Sequence, residues 1–203
     1  MNKLIAAAAV SLALAGASLC RAAGPEPGTA APAFALQNVD GKTVSLADFA
    51  DAKAIVVVFT CNHCPFSQAY EPRLIQMQKD YADKGVKLVL INPNDPKKQP
   101  EDSFEKMKKR AADKSYPFPY LYDSTQEIAK AYGAFRTPEV YLLSPADMTV
   151  QYRGRIDDNT EVKSVKKRDL RDALELLLAG TPDQIAERST KAFGCTIKWK
   201  DAK

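Results

Sequence analysis

The chain has 203 residues, long enough for one domain with a sizeable core, and its 45% hydrophobic content is ordinary for a globular protein. The formal net charge is +4, and without Lys3 and Arg21 of the first 23 residues it falls to +2. So small an excess is no electrostatic footprint for nucleic acid.

Residues 1–23 read as a secretory signal. Lys3 supplies a short positive start, Leu4 to Leu19 an Ala/Leu-rich apolar run, and Ala22 and Ala23 a plausible cleavage site. The run is shorter than the roughly 18 residues of a membrane span, so no integral membrane protein is expected after its removal. Leu19 before Cys20 argues against lipid attachment, which favours a small residue there. Export, most simply to a periplasm, would place the mature chain in an oxidising compartment.

Gly24 to Pro32 reads as a flexible leader. Phe34-Ala35-Leu36 and Val44-Ser45-Leu46, turned by Asp40-Gly41, predict a small hairpin. Ala54 to Phe59 is a continuous apolar run rich in β-branched residues, as in a strand buried on both faces. The period then changes: Phe66, Tyr70, Leu74, Met77 and Tyr81 recur at helical spacing, with Pro72 as an expected kink and Gly85 as a stop. Val86 to Ile91 predicts a second buried strand, completing a βαβ unit.

Asn92 to Gln99 reads as a polar loop and Pro100-Glu101-Asp102 as the start of a helix running to about Lys114. Lys106, Lys108, Lys109 and Arg110 suit its solvated face. Phe118 to Tyr122 predicts a short strand, and Asp123-x-x-Gln126 a capping box for a helix over Thr125 to Tyr132. Val140 to Leu143 and Val150 to Arg153 read as a hairpin, and Arg153-Gly154-Arg155 as its solvated close. Leu170, Ala173, Leu174, Leu177 and Leu178 mark an amphipathic helix, closed by Gly180, and Thr181 to Gln184 starts another short one.

The chemistry concentrates between the first buried strand and its helix, in Cys61-Asn62-His63-Cys64-Pro65. Cys61 sits at or just before a helix N-terminus, where unpaired N–H groups and the helix dipole favour a thiolate, and His63 would add to the effect. Cys-x-x-Cys in this setting reads as a redox dithiol. A structural bridge over so short a loop would be a poor staple. Zinc would need Cys61, His63, Cys64 and Cys195 together, although His63 and Cys64 are adjacent and can hardly both reach one ion. Covalent haem attachment wants His where Pro65 stands. No metal or cofactor is expected.

With Tyr132-Gly133-Ala134-Phe135-Arg136-Thr137-Pro138 and the strand-like run after it, the motif resembles the thioredoxin superfamily, in its redoxin branch of peroxiredoxin-like and thioredoxin-like proteins. The resemblance covers most of the chain from about Pro32. It implies an α/β thioredoxin-like fold: a central mixed sheet flanked by helices, with an N-terminal β-hairpin and a C-terminal helical extension. Residues 34–180 would form the redoxin domain and 181–203 the extension. It further implies that Cys61 attacks, Cys64 resolves, and Pro138 is cis, facing the disulfide. The backbone of Thr137 would pair with a bound polypeptide.

The activity implied is thiol–disulfide exchange with a redox partner protein and a disulfide or dithiol substrate. The pattern departs from thioredoxin's Cys-Gly-Pro-Cys, and Ile55 stands where its buried acid would be. A thiol peroxidase is the rival enzyme, although Cys61 stands where a peroxidatic Cys64 would want Thr; Arg136 would then serve as the active-site arginine. A non-catalytic redox sensor or metallochaperone is a third class. Removal of Cys20 leaves Cys195 as an odd third thiol, either a small buried hydrophobe or a third redox cysteine.

Overall fold

The computed structural model describes residues 24–201; the expected signal segment, with Cys20, lies outside them. A hairpin, β1 (Ala35–Asn38) and β2 (Thr43–Ser45), leads through a 3₁₀ turn to β3 (Ala54–Phe59). Then come α1 (Pro65–Tyr81), β4 (Val86–Asn92), α2 (Phe104–Asp113), β5 (Tyr120–Tyr122) and α3 (Glu127–Ala131). They are followed by β6 (Arg136–Thr137), β7 (Glu139–Ser144), β8 (Thr149–Gly154), α4 (Asp169–Leu178) and β9 (Cys195–Thr196). Seven strands form one mixed sheet in the order β2-β1-β5-β4-β3-β7-β8, and β6 and β9 pair separately.

β3 lies near the centre of the sheet, parallel to β4 and antiparallel to β7. Its six residues are all buried, because each face meets its own core. Ala54, Val56 and Val58 join Tyr70, Leu74, Met77 and Tyr81 of α1 and Leu170, Ala173 and Leu174 of α4. Ile55, Val57 and Phe59 face Phe34, Leu46, Ala129, Tyr132 and Ile197. The period of two thus distributes one apolar run over two cores. Cys61 emerges two residues beyond β3 and is buried.

Several elements differ from expectation. The leader is pinned: Gly28 and Ala31 donate their N–H groups to Val150 and Met148, at 2.7 and 2.8 Å, along the edge of β8. The segment from Pro100 is a 3₁₀ turn followed by Ser103, whose extended backbone starts α2 afresh at Phe104. Arg110 leaves the solvated face to pair with buried Glu71 at 2.7 Å. Arg155 likewise binds Asp169 through two nitrogens, at 2.8 and 3.0 Å. Asp123 caps α3 by accepting from the Ala129 N–H at 2.8 Å, while the Gln126 side chain reaches Pro93 and Lys198 instead of closing a capping box. The expected C-terminal helical segment is a single 3₁₀ turn (Pro182–Gln184); the chain then runs on to β9.

Candidate functional site

Cys64 is the N-cap of α1 and Pro65 its first residue, so the helix begins at the second cysteine. Proline costs nothing there, since the N–H it lacks would be unpaired. The preceding turn is held from three sides. Asn62 donates its side-chain amide to the Glu101 carbonyl at 2.8 Å and accepts from the buried Tyr120 hydroxyl at 2.9 Å. Its own carbonyl accepts from the Gln68 side chain at 2.8 Å. Asn62 is thus a clamp, joining the dithiol turn to β5 and to the 100–102 turn.

The loop before β7 closes over the sulfurs. The Thr137–Pro138 peptide bond is cis, as the resemblance implied. The Thr137 hydroxyl lies 3.2 Å from Cys61 Sγ, and Cys64 Sγ donates to the Thr137 carbonyl at 3.1 Å. Ser67 of α1 lies 3.9 Å from Cys61 Sγ. Cys61 is 3% exposed and Cys64 0%. The backbone of Thr137 is already occupied: it stands opposite Cys195 in the β6–β9 ladder. An incoming polypeptide therefore finds this edge taken by the chain's own tail. Arg136, weighed as a catalytic arginine, donates to the Gly194 carbonyl at 2.7 Å and holds that tail.

The residue that local reading missed is Asp102. Its carboxylate is fully buried and takes four hydrogen bonds, from Asn62 N at 2.6 Å, His63 N at 3.3 Å, Asn94 Nδ2 at 2.7 Å and His63 Nδ1 at 2.5 Å. His63 therefore turns to Asp102 rather than supporting a thiolate on Cys61, and its side chain stays 16% exposed. A cavity of about 220 Å³ opens beside His63, rimmed by Lys106, Lys109 and Lys114.

These contacts divide the two thiols. Contact with the Cys61 thiol, and further the Cys195 thiol and the N–H groups of Ser67 and Cys195, bring the Cys64 thiol down to about 4 against the cost of burial. Hydrogen bonding to Cys64, then burial and the Asp102 charge, push Cys61 the other way. The two thiols are thus pushed apart in acidity, and the pair loses one proton well before the other. The helix starts at Cys64, and the Asp102 charge opposes a thiolate on Cys61. Thr137 favours the state with the charge on Cys61, its carbonyl accepting from the Cys64 thiol and its hydroxyl able to donate to a Cys61 thiolate.

Cys61, His63 and Asp102 offer ligand atoms within 4.8 Å of one another. The chemistry of this trio would suit a divalent cation, but both Asp102 oxygens are already engaged by hydrogen-bond donors.

Residues 27–165 match the AhpC/TSA family. A solved structure of a conserved protein from Geobacillus kaustophilus is 46% identical, covering 87% of this chain and 94% of its own, with a TM-score of 0.80. A Mycobacterium tuberculosis protein provisionally named a peroxiredoxin is 30% identical over 57% of this chain and 68% of its own length. The thiol-disulfide oxidoreductase ResA of Geobacillus thermodenitrificans is 24% identical over 73% of this chain and 76% of its own. A mixed sheet with a paired-cysteine turn at the head of α1, a cis-proline loop against it, and a family match over more than half of the sequence lead to one assignment: this chain belongs to the AhpC/TSA family, in the redoxin branch of the thioredoxin superfamily.

Proposed function

We propose that the protein is a thiol–disulfide oxidoreductase that cycles Cys61 and Cys64 between dithiol and disulfide. The observation that carries this reading is a pair of buried thiols at a helix N-terminus, both bonded to Thr137 of the cis-proline loop. With the proton on Cys64, which donates to the Thr137 carbonyl, Cys61, the less covered sulfur, is the attacking thiolate. It attacks a disulfide R–S–S–R′ to form a Cys61–S–S–R bond and release R′S⁻, which takes up a proton. Cys64 then gives up its proton and attacks Cys61 Sγ, forming Cys61–Cys64 and releasing RS⁻. The substrate gains two electrons and the enzyme loses two; an external dithiol reverses the step. Asp102 and His63 offer the proton a route from the buried turn to solvent, since His63 bonds Asp102 and reaches the surface.

Exported protein disulfides or small thiols are the proposed substrates, a reading supported by the signal-like residues 1–23. The test is reduction of insulin disulfides under a dithiol supply. Wild type should turn over and Cys61→Ser should not; equal rates would sink the reading.

Thiol peroxidase is the second reading, favoured by the name of the mycobacterial relative. Cys64, its candidate nucleophile, is fully covered, and Arg136 is engaged by the tail. Peroxide consumption faster than insulin reduction would favour it.

A further inference from the structure

A third sulfur meets the dithiol. Cys195 stands directly opposite Thr137 in the antiparallel β6–β9 ladder. Residues directly opposite project their side chains from the same face. Thr137 turns its hydroxyl to Cys61 Sγ at 3.2 Å, so the Cys195 thiol projects towards the dithiol as well. Cys64 Sγ lies 3.1 Å from the Thr137 carbonyl, within reach of the same ladder. Gly194 makes the approach possible, since a Cβ there would fall 2.1 Å from the Thr137 carbonyl oxygen. The tail is anchored on both sides of the thiol. Arg136 holds the Gly194 carbonyl at 2.7 Å, Ile197 is buried in the second core, and the Lys198 N–H donates to Asn94 Oδ1 at 2.8 Å.

Access separates the three. Cys61 and Cys64 are covered, whereas Cys195 is partly exposed. A soluble thiol therefore meets Cys195 most readily, and the Cys61–Cys64 bond lies behind it.

We propose that Cys195 is a third redox thiol whose thiolate attacks Cys64 Sγ in the Cys61–Cys64 disulfide, forming a Cys64–Cys195 disulfide and releasing Cys61. This rests on the dithiol reading above. The exchange changes no oxidation state: one S–S bond breaks, one forms, and the proton lost by Cys195 passes to Cys61. An external dithiol then attacks Cys195 Sγ and releases Cys64; its second thiol displaces Cys195. The two electrons come from that dithiol, which leaves as a disulfide. Burial, and then the contact and charge of Cys64, hold the Cys195 thiol up at about 11 in the reduced protein. Those Cys64 contributions vanish once Cys64 is in a disulfide, so Cys195 ionises more readily in the state that needs its attack.

The test uses the full-length mature protein, oxidised with diamide, quenched in acid, alkylated and mapped by mass spectrometry. Wild type should yield both Cys61–Cys64 and Cys64–Cys195. Cys61→Ser should yield an intrachain Cys64–Cys195 bond. Cys195→Ser should form Cys61–Cys64 but be reduced by dithiothreitol about tenfold more slowly than wild type. The proposal is overturned if oxidised Cys61→Ser keeps Cys64 and Cys195 alkylated, or joins Cys195 only between chains, while wild type shows Cys61–Cys64 alone. The dithiol reading survives that result. A wild type with no Cys61–Cys64 bond counts against the dithiol reading instead, and the Cys61→Ser map still decides Cys195. Wild-type mapping needs no substitution, so a misfolded variant cannot produce the answer.

Discussion

Two buried aspartates sit beside the segment from Cys61 to Arg73, and they are neutralised in different ways. Asp157 accepts from the Tyr70 hydroxyl at 2.8 Å and from Arg73 Nη1 at 2.6 Å. Arg73 continues to the carbonyls of Asn159, at 2.7 Å, and Thr160. Guanidinium keeps its charge at every accessible pH, so this pair ties α1 to the segment after β8 and does nothing else. Asp102 is buried as deeply, but its salt-bridge partner among the described residues is His63. Imidazole exchanges its proton in the physiological range. A carboxylate is thus a fastener where arginine meets it and, in the proposed cycle, a step on the proton's way to solvent where histidine does.

The sharpest break between the two should come from Asp157→Asn. Removing one partner of a buried ion pair costs about 3 kcal/mol, because the other charge is stranded. Urea unfolding should show this loss, while insulin reduction by the folded variant stays at the wild-type rate. Loss of activity in step with stability would erase the contrast.

Asp102→Asn should act in reverse. Turnover should fall about tenfold as His63 loses its anchor and the proton its route, with a smaller stability loss than at Asp157. Ultraviolet titration of the thiolate should also shift to lower pH, because a negative charge facing Cys61 is gone. Faster turnover would mean that Asp102 only restrains the dithiol.

Tyr120→Phe probes the support of the Asp102 side. It removes the donor to Asn62 Oδ1 and should cost about 1 kcal/mol in stability, with turnover barely altered.

The most gradual effect is on pH. The Cys61–Cys64 pair gives up its first proton more readily in the folded protein than an ordinary thiol does, so that thiolate stabilises the reduced fold at alkaline pH, and the contribution is lost as pH falls. Reduced wild type should therefore lose ground to reduced Cys64→Ser on acidification, no more steeply than about 1.4 kcal/mol per pH unit, the limit for one proton. Parallel curves for the two proteins would place the charge elsewhere.

What was legible in the sequence were the local periods. β3, α1, the hairpin of β7 and β8 and the cysteine turn follow from spacing within a few residues, and Thr137-Pro138 from its motif. Asp102 was hidden because its signal is ambiguous: an acid after Pro100 is a good helix start, and only Ser103's extended backbone turns it inward. Its partners on the cysteine turn lie about 40 residues away in sequence, beyond any local pattern. Arg110 looked solvated for the same reason, since Glu71 comes from a different helix. The meeting of Cys195 with Thr137 spans still more chain, and neither two-residue strand has a period to read.

The pinned leader bears on how molecules of this protein meet one another. A sheet ends in strands with unpaired N–H and C=O groups, and these invite strand addition from a neighbouring copy. Here β8 is one such end, yet Gly28, Ala31 and the Ala30–Thr149 bridge cover its start, and the Arg153–Ser189 bridge covers its finish. The opposite end, β2, is only three residues long. Both ends of the sheet are therefore poor templates for edge-to-edge growth. A chain trimmed to residue 33 would uncover β8 and should self-associate as its concentration rises.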